Sequence, residues 1–236
     1  ARGDVPVDQE HAASAWACTS CYACRERCDH KNEVAATLND ARAEMFARGA
    51  APEAAQRVAE RFPEHQAALA RAVEALEGER SPAPSSPVPA ALLLGCGYAR
   101  REPEAARDAL RAAEALRGGP VRPLSICCGL PLLEAGDRAG FVAAATNFAA
   151  AVADAPELIA VDPGCARTVL VEYPRVGVTV RRPELFVDLA ARALDRLQPL
   201  PELGPLRYHD PCQLGRGLGR YDEPRAILGK IAGRSE

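Results

Sequence analysis

Aromatic side chains are scarce in this chain, at 5% of 236 residues. That leaves little surface on which unstacked bases could lie, and argues against nucleic acid as a partner. Net charge is also slight, at -3, so neither a polyanion nor an anionic membrane surface is indicated. No run approaches the ~18 apolar residues of a membrane span. The nearest, residues 141–153, is alanine-rich and interrupted by Thr146 and Asn147. No signal peptide is visible. The expectation is a cytoplasmic protein without a transmembrane segment, any membrane association being made through a partner. No Ser/His/Asp pattern stands out, nor any paired carboxylates, so no catalytic residue is nominated.

Cysteine is abundant by contrast. There are nine, an odd number in clustered spacings, which does not suit a secreted disulfide scaffold. In a cytosolic setting, clustered thiols point to metal. Cys18, Cys21, Cys24 and Cys28 form C-x2-C-x2-C-x3-C. That spacing wraps a four-iron cubane, a [4Fe-4S] cluster. Zinc knuckles usually separate two Cys-x2-Cys pairs by a dozen or more residues. Asp29 stands where a proline commonly follows the fourth cysteine. His30, next along, reads as a polar loop residue or a substitute ligand.

The rhythm of the chain divides it. Residues 1–80 read as helical: Val34, Leu38, Ala41 and Met45 make one stripe, and Leu69, Val73 and Leu76 another. Pro52 marks a helix start, and Gly49 and Gly78 mark stops. His11 and His65 read as surface or helix residues. Residues 81–89, "SPAPSSPVP", hold four prolines in nine positions and read as a semi-extended linker. Beyond it, short apolar runs at 90–95, 121–126, 157–162, 176–180 and 205–210 alternate with helical patterns near 103–117, 138–153, 165–172, 183–197 and from about 224. This alternation predicts a parallel sheet covered by helices.

The remaining cysteines, Cys96, Cys127, Cys128, Cys165 and Cys212, each follow one of these predicted strands. Strand C-termini in an open parallel sheet share one edge, where ligands bind. Residues distant in sequence therefore converge. Gly95, Gly129 and Gly164 permit close backbone approach there, and are candidate cofactor-binding positions. His209, in "YHDPC", is a candidate neighbour of a cluster; Asp210 reads equally as a turn cap. "GRGLGR" (215–220) lacks a phosphate-loop lysine and reads as a turn.

Cys96, the triplet Cys127-Cys128-Gly129, "DPGC" and "YHDPCQLGRGLGRYDEPRAIL" resemble the cysteine-rich CCG domain family. That family includes the CCG-bearing subunit of heterodisulfide reductase and the iron–sulfur subunits of glycolate, lactate and glycerol-3-phosphate dehydrogenases. "AWACTSCYACRERC" resembles the helical ferredoxin-type domain that often precedes it. The resemblance implies a mixed fold: a small all-α [4Fe-4S] ferredoxin-like domain (1–80), the linker, and a CCG-type α/β domain with a parallel sheet (90–236). The α/β domain holds one complete unit to about residue 200 and the start of a second at 205–236. The resemblance further implies that Cys96, Cys127, Cys128 and Cys165 ligate a second cluster, cubane or noncubane, or zinc. Cys212 matches the first cysteine of the second unit. The family's fifth ligand, in a final C-x2-C, falls here on Thr168. That substitution disfavours disulfide cleavage and favours electron transfer. The expected role is an iron–sulfur subunit relaying electrons between a flavin-containing dehydrogenase, or another redox protein, and a quinone or thiol/disulfide acceptor. The alternatives are a heterodisulfide-reductase-like catalytic subunit and a zinc-organised structural or binding module.

Overall fold

The computed structural model describes residues 9–78, 89–204 and 206–232. All of the expected linker except Pro89 lies outside them. The first segment is helical, with no strand among its described residues: α1 (Gln9–Trp16), α2 (Ala23–Arg27), α3 (Val34–Ala47), α4 (Glu53–Glu60) and α5 (Phe62–Gly78). α5 buries the expected stripe of Leu69, Val73 and Leu76. α3 does not bury Val34, Leu38, Ala41 and Met45, which lie exposed or half-buried. Its inward face carries Ala35, Asn39 and Arg42 instead. Arg42 is the cause. Its side chain is 1% exposed, and Nε donates to Ala15 O at 3.0 Å while Nη1 donates to Asn39 Oδ1 at 3.1 Å. Further bonds reach Cys18 O and the Glu134 carboxylate. A cation with this many acceptors tolerates burial, and an apolar stripe search cannot register it.

The second segment builds the sheet from β1 (Ala90–Leu93), β2 (Val121–Pro123), β3 (Leu158–Ala160) and β4 (Glu184–Leu185). The order is β2-β1-β3-β4 and every pairing is parallel. The helices are α6 (Cys96–Arg101), α7 (Pro103–Arg117), α8 (Leu130–Ala135), α9 (Arg138–Ala151), α10 (Pro163–Arg167), α11 (Tyr173–Arg175), α12 (Phe186–Ala191), α13 (Gly215–Leu218) and α14 (Asp222–Ala232). β1 is buried along its whole length, as a strand covered on both faces must be. Its side chains part by alternation. Ala91 and Leu93 pack with Phe141, Ala145, Phe148 and Val152 on one side. Ala90, Leu92 and Leu94 pack with Ala106, Leu110 and Ala113 of α7, and with Leu69, Val73 and Leu76 of α5, on the other. A helix of the first segment thus completes one covering layer of the sheet.

Two expected strands do not form. Residues 176–180 keep a strand's alternation, with Val176, Val178 and Val180 packed on the core. They have no ladder, because the edge beside β3 is taken by Glu184 and Leu185. Around 206–210 there is only an isolated bridge at Leu206; Arg207 and His209 are exposed and Leu206, Tyr208 and Asp210 only half-buried, so no apolar face drives pairing. The helix expected over 183–197 is shorter: α12 ends at Ala191 and a 3-10 turn follows at Leu194–Arg196. α10 begins at Pro163, and the chain widens at Thr168–Glu172 into a π-helical turn. Pro174 has no N–H to return to Leu170, which accounts for the wider ring.

Candidate metal centres

The strand ends do bring cysteines together. β1 runs into Gly95, and Cys96 opens α6. Gly95 has φ 96°, and a Cβ there would lie 2.6 Å from Asp162 Cβ, so only glycine lets these two strand ends approach. Asp162 in turn caps α10, accepting from the Cys165 N–H at 2.8 Å. β2 leads to Cys127 and Cys128, and Gly129, with φ 79°, turns the chain into α8. Gly164 is buried beside Asp162 and Leu130.

The four sulfurs gather at this edge. The Cys96 and Cys127 sulfurs lie within 4.8 Å of each other, Cys127 and Cys128 are adjacent in the chain, and Cys128 Sγ lies 3.3 Å from Cys165 Sγ. The adjacent cysteines point into opposite layers: Cys127 packs with the α5 and α7 side, Cys128 with the α9 side. Crowding raises their pKa values. Cys96 is pushed up to about 12 by its hydrogen bond with Cys127, and Cys127 to about 12 by Cys128. At Cys128 the bond with Cys127 lowers the pKa, but the bond with Cys165 and burial outweigh it. At Cys165 the bond with Cys128 likewise lowers the pKa, but burial and nearby charges carry it to about 11. Three buried thiols and a half-buried one, gathered this closely, cannot all ionise unless a cation joins them, so this donor set fits a thiolate-bound metal or iron–sulfur group.

Residues that sequence reading did not nominate hold this turn. Gln66 of α5 accepts from the Cys127 N–H at 2.9 Å and donates to Ser125 O at 2.6 Å. Buried Tyr173 donates to Cys128 O at 3.0 Å. His65 sits on a helix as expected, but its ring meets the cysteines: donor atoms of His65, Cys96 and Cys127 lie within 4.8 Å of one another. The only legible signal was Asp162, whose place before Pro163 is a helix-start pattern. Thr168 is buried, and its hydroxyl donates to Gly164 O at 2.8 Å, so it offers no thiol-like ligand.

The first cysteine group lies on one short segment. Ser20 and Tyr22 have φ of 51° and 59°, so the backbone between Cys18 and Cys24 curls with its N–H groups toward sulfur. The Ser20 N–H donates to Cys18 Sγ at 3.4 Å. Cys21 has its pKa lowered, first by the Ala23 N–H, and Cys28 has its pKa lowered by the N–H groups of Asn32 and His30. Cys24 is exposed and the other three half-exposed. Amide donors stabilising thiolate sulfur fit an anionic iron–sulfur group here.

Cys212 joins this end of the molecule through Arg216. Arg216 Nη2 donates to Cys212 Sγ at 2.9 Å, and Nε to Cys21 O at 2.6 Å. His209 is exposed and belongs to no group of three donor atoms within 4.8 Å among the described residues. Its neighbour Asp210 pairs with Arg225 at 2.7 and 2.8 Å instead of capping the turn. Between the two cysteine groups, the Arg167 guanidinium stacks 4.2 Å from the centroid of the Tyr22 ring, and burial pushes that phenol up to about 12.

Comparisons with known proteins give relatives for this chain. Over 108 residues the chain is 34% identical to a subunit of the fumarate reductase (CoM/CoB) from Methanothermobacter marburgensis, a match that covers 46% of this chain and 22% of that protein. Over 221 residues it is 26% identical to an uncharacterized iron–sulfur protein of Methanocaldococcus jannaschii, covering 91% of this chain and 44% of that one. The chain thus spans less than half the length of each relative. No solved structure matches it. No helix among the described residues is long and apolar enough to cross a membrane. The family match begins at β1 and ends just past Cys165, enclosing the four converging thiols: residues 90–169 match the model of the cysteine-rich CCG domain.

Proposed function

We propose that this chain is an iron–sulfur electron-transfer subunit, with one cluster held by Cys96, Cys127, Cys128 and Cys165 and a [4Fe-4S] cluster held by Cys18, Cys21, Cys24 and Cys28 in a ferredoxin-type helical segment. The observation that carries it is the convergence of four thiols from three strand ends. A bound cluster supplies reversible one-electron storage. The protein's own residues supply the rest. Gln66 and Tyr173 fix the turn that carries the two adjacent thiols. The amides around Cys18, Cys21 and Cys28 favour thiolate sulfur. Burial at the sheet edge excludes water from Cys127, Cys128 and Cys165. Kinship to a protein named as a fumarate reductase subunit supports a place in a redox complex. The proposed donor is a flavin-containing dehydrogenase subunit, and the proposed acceptor a quinone or a thiol/disulfide couple. The test is anaerobic purification with iron and acid-labile sulfide assayed per chain: two clusters are expected, and a colourless chain that stays iron-free after anaerobic reconstitution overturns the reading.

A second reading has one observation in its favour. Sulfurs 3.3 Å apart, with a ring nitrogen close by, also suit a single tetrahedral ion such as zinc. Stoichiometric zinc at the sheet edge in the same assay would select it.

A further inference from the structure

The residues around Cys96 and Cys127 include one nitrogen donor that the four-thiol site does not account for. His65 Nε2 is buried and has no hydrogen-bond partner, a state that buried polar atoms rarely keep without a ligand. The ring is held on two other sides. Phe62 stacks on it at a centroid distance of 5.8 Å and an interplanar angle of 19°. Arg100 Nη1 lies 2.7 Å from Nδ1. The next residue, Gln66, clamps the helix onto the cysteine turn through Ser125 O and the Cys127 N–H. Helix α5 is therefore registered against this turn, and His65 is aimed by it.

We infer that His65 is a metal ligand, contributing an imidazole nitrogen through Nε2 to the group bound by Cys96 and Cys127. The donor atoms already lie within 4.8 Å of one another. Two donors on one ion, with metal–nitrogen and metal–sulfur bonds of about 2.0 and 2.3 Å, stand at most about 4.3 Å apart, so small side-chain rotations close the site. Coordination through Nε2 places the ring proton on Nδ1. Arginine only donates, so Arg100, which is exposed, then swings into solvent. The ligand set becomes mixed sulfur and nitrogen, and one of its members comes from the helical segment that precedes the CCG domain.

This inference rests on the proposal that Cys96, Cys127, Cys128 and Cys165 bind metal. The test is pulsed electron paramagnetic resonance on the full chain, prepared anaerobically with 15N-histidine, reduced if iron is bound and cobalt-substituted if zinc is bound. A directly coordinated nitrogen gives a strong hyperfine coupling, which a hydrogen-bonded ring does not. The coupling is expected in the unmodified chain and in Arg100→Ala. It is expected to vanish in His65→Ala and in His65→Cys, the latter keeping its metal through sulfur. His30→Ala, which alters the other cysteine loop, should leave it unchanged. No strong coupling in a metal-loaded chain, or a coupling that survives His65→Ala, overturns the inference while the metal site stands. No metal at these cysteines overturns both.

Discussion

The two thiol groups of this chain are opposites. The one at the sheet edge is mostly buried, drawn from three strand ends, and made of thiols whose pKa neighbouring sulfurs and burial together raise. The one near the N-terminus is largely exposed, drawn from eleven consecutive residues, and contains thiols whose pKa backbone amides lower. Tertiary structure makes the first, because without the sheet its cysteines lie tens of residues apart. Local backbone makes the second, through the left-handed turns at Ser20 and Tyr22. A metal at the sheet edge must therefore drive deprotonation against crowding, whereas the loop offers sulfurs already inclined to ionise.

The largest expected effect separates the two sites outright. Cys128→Ser should abolish metal at the sheet edge and leave the loop's iron, and Cys24→Ser should do the reverse. Iron, sulfide and zinc per chain check both, and loss of both sites from either substitution would refute their independence. Next is the joint between them. Arg42→Met leaves Ala15 O, Asn39 Oδ1 and Cys18 O without their donor and removes the cation beside the part-exposed Glu134 carboxylate, a loss of about 1–3 kcal/mol. Thermal melts of the reduced, metal-free chain should fall by roughly 2–4 °C for each kcal/mol lost.

Reactivity should be smaller in energy but opposite in sign at the two places. In the metal-free chain near pH 8, Cys21 and Cys28 should alkylate more than about tenfold faster than Cys127 and Cys128, as read by peptide mass spectrometry. The same shifts fix the pH dependence. Cys96, Cys127 and Cys165 have folded values of about 11 to 12 against a usual 9.0. Unfolding therefore releases protons from them above pH 9, and the stability they contribute is lost as pH rises from there through their folded values. Urea midpoints of the metal-free chain should drop over that range, and less so in Cys96→Ala. The smallest effect is expected from Gln66→Ala, which removes two hydrogen bonds to the cysteine turn at about 1 kcal/mol in all for a half-exposed side chain, seen as a lower melting temperature of the metal-free chain.

Sequence alone located the sheet-edge cysteines because apolar runs and the residues after them are local signals. The runs at 90, 121 and 157 became strands, and their cysteines met. The edge strand was misplaced because residues 176–180 alternate well but lack a partner, and pairing is not written in any one segment. Cys212 did not join the others for the same reason: the run before it has no buried face. The α3 stripe was misread because a buried arginine, not an apolar row, anchors that helix. His65, Gln66 and Tyr173 were illegible as site residues, since their contacts cross 30 or more positions in sequence.

The adjacent pair Cys127-Cys128 divides its side chains between the two layers of the sheet. A group held by these sulfurs would be a rivet through the thickness of the domain. It would close the intervals from Cys96 to Cys127 and from Cys128 to Cys165 as covalent cross-links do, removing the loop freedom those stretches regain on unfolding. Oxidative loss of the bound group would then loosen both helical layers at once, and a redox injury would register as a mechanical one.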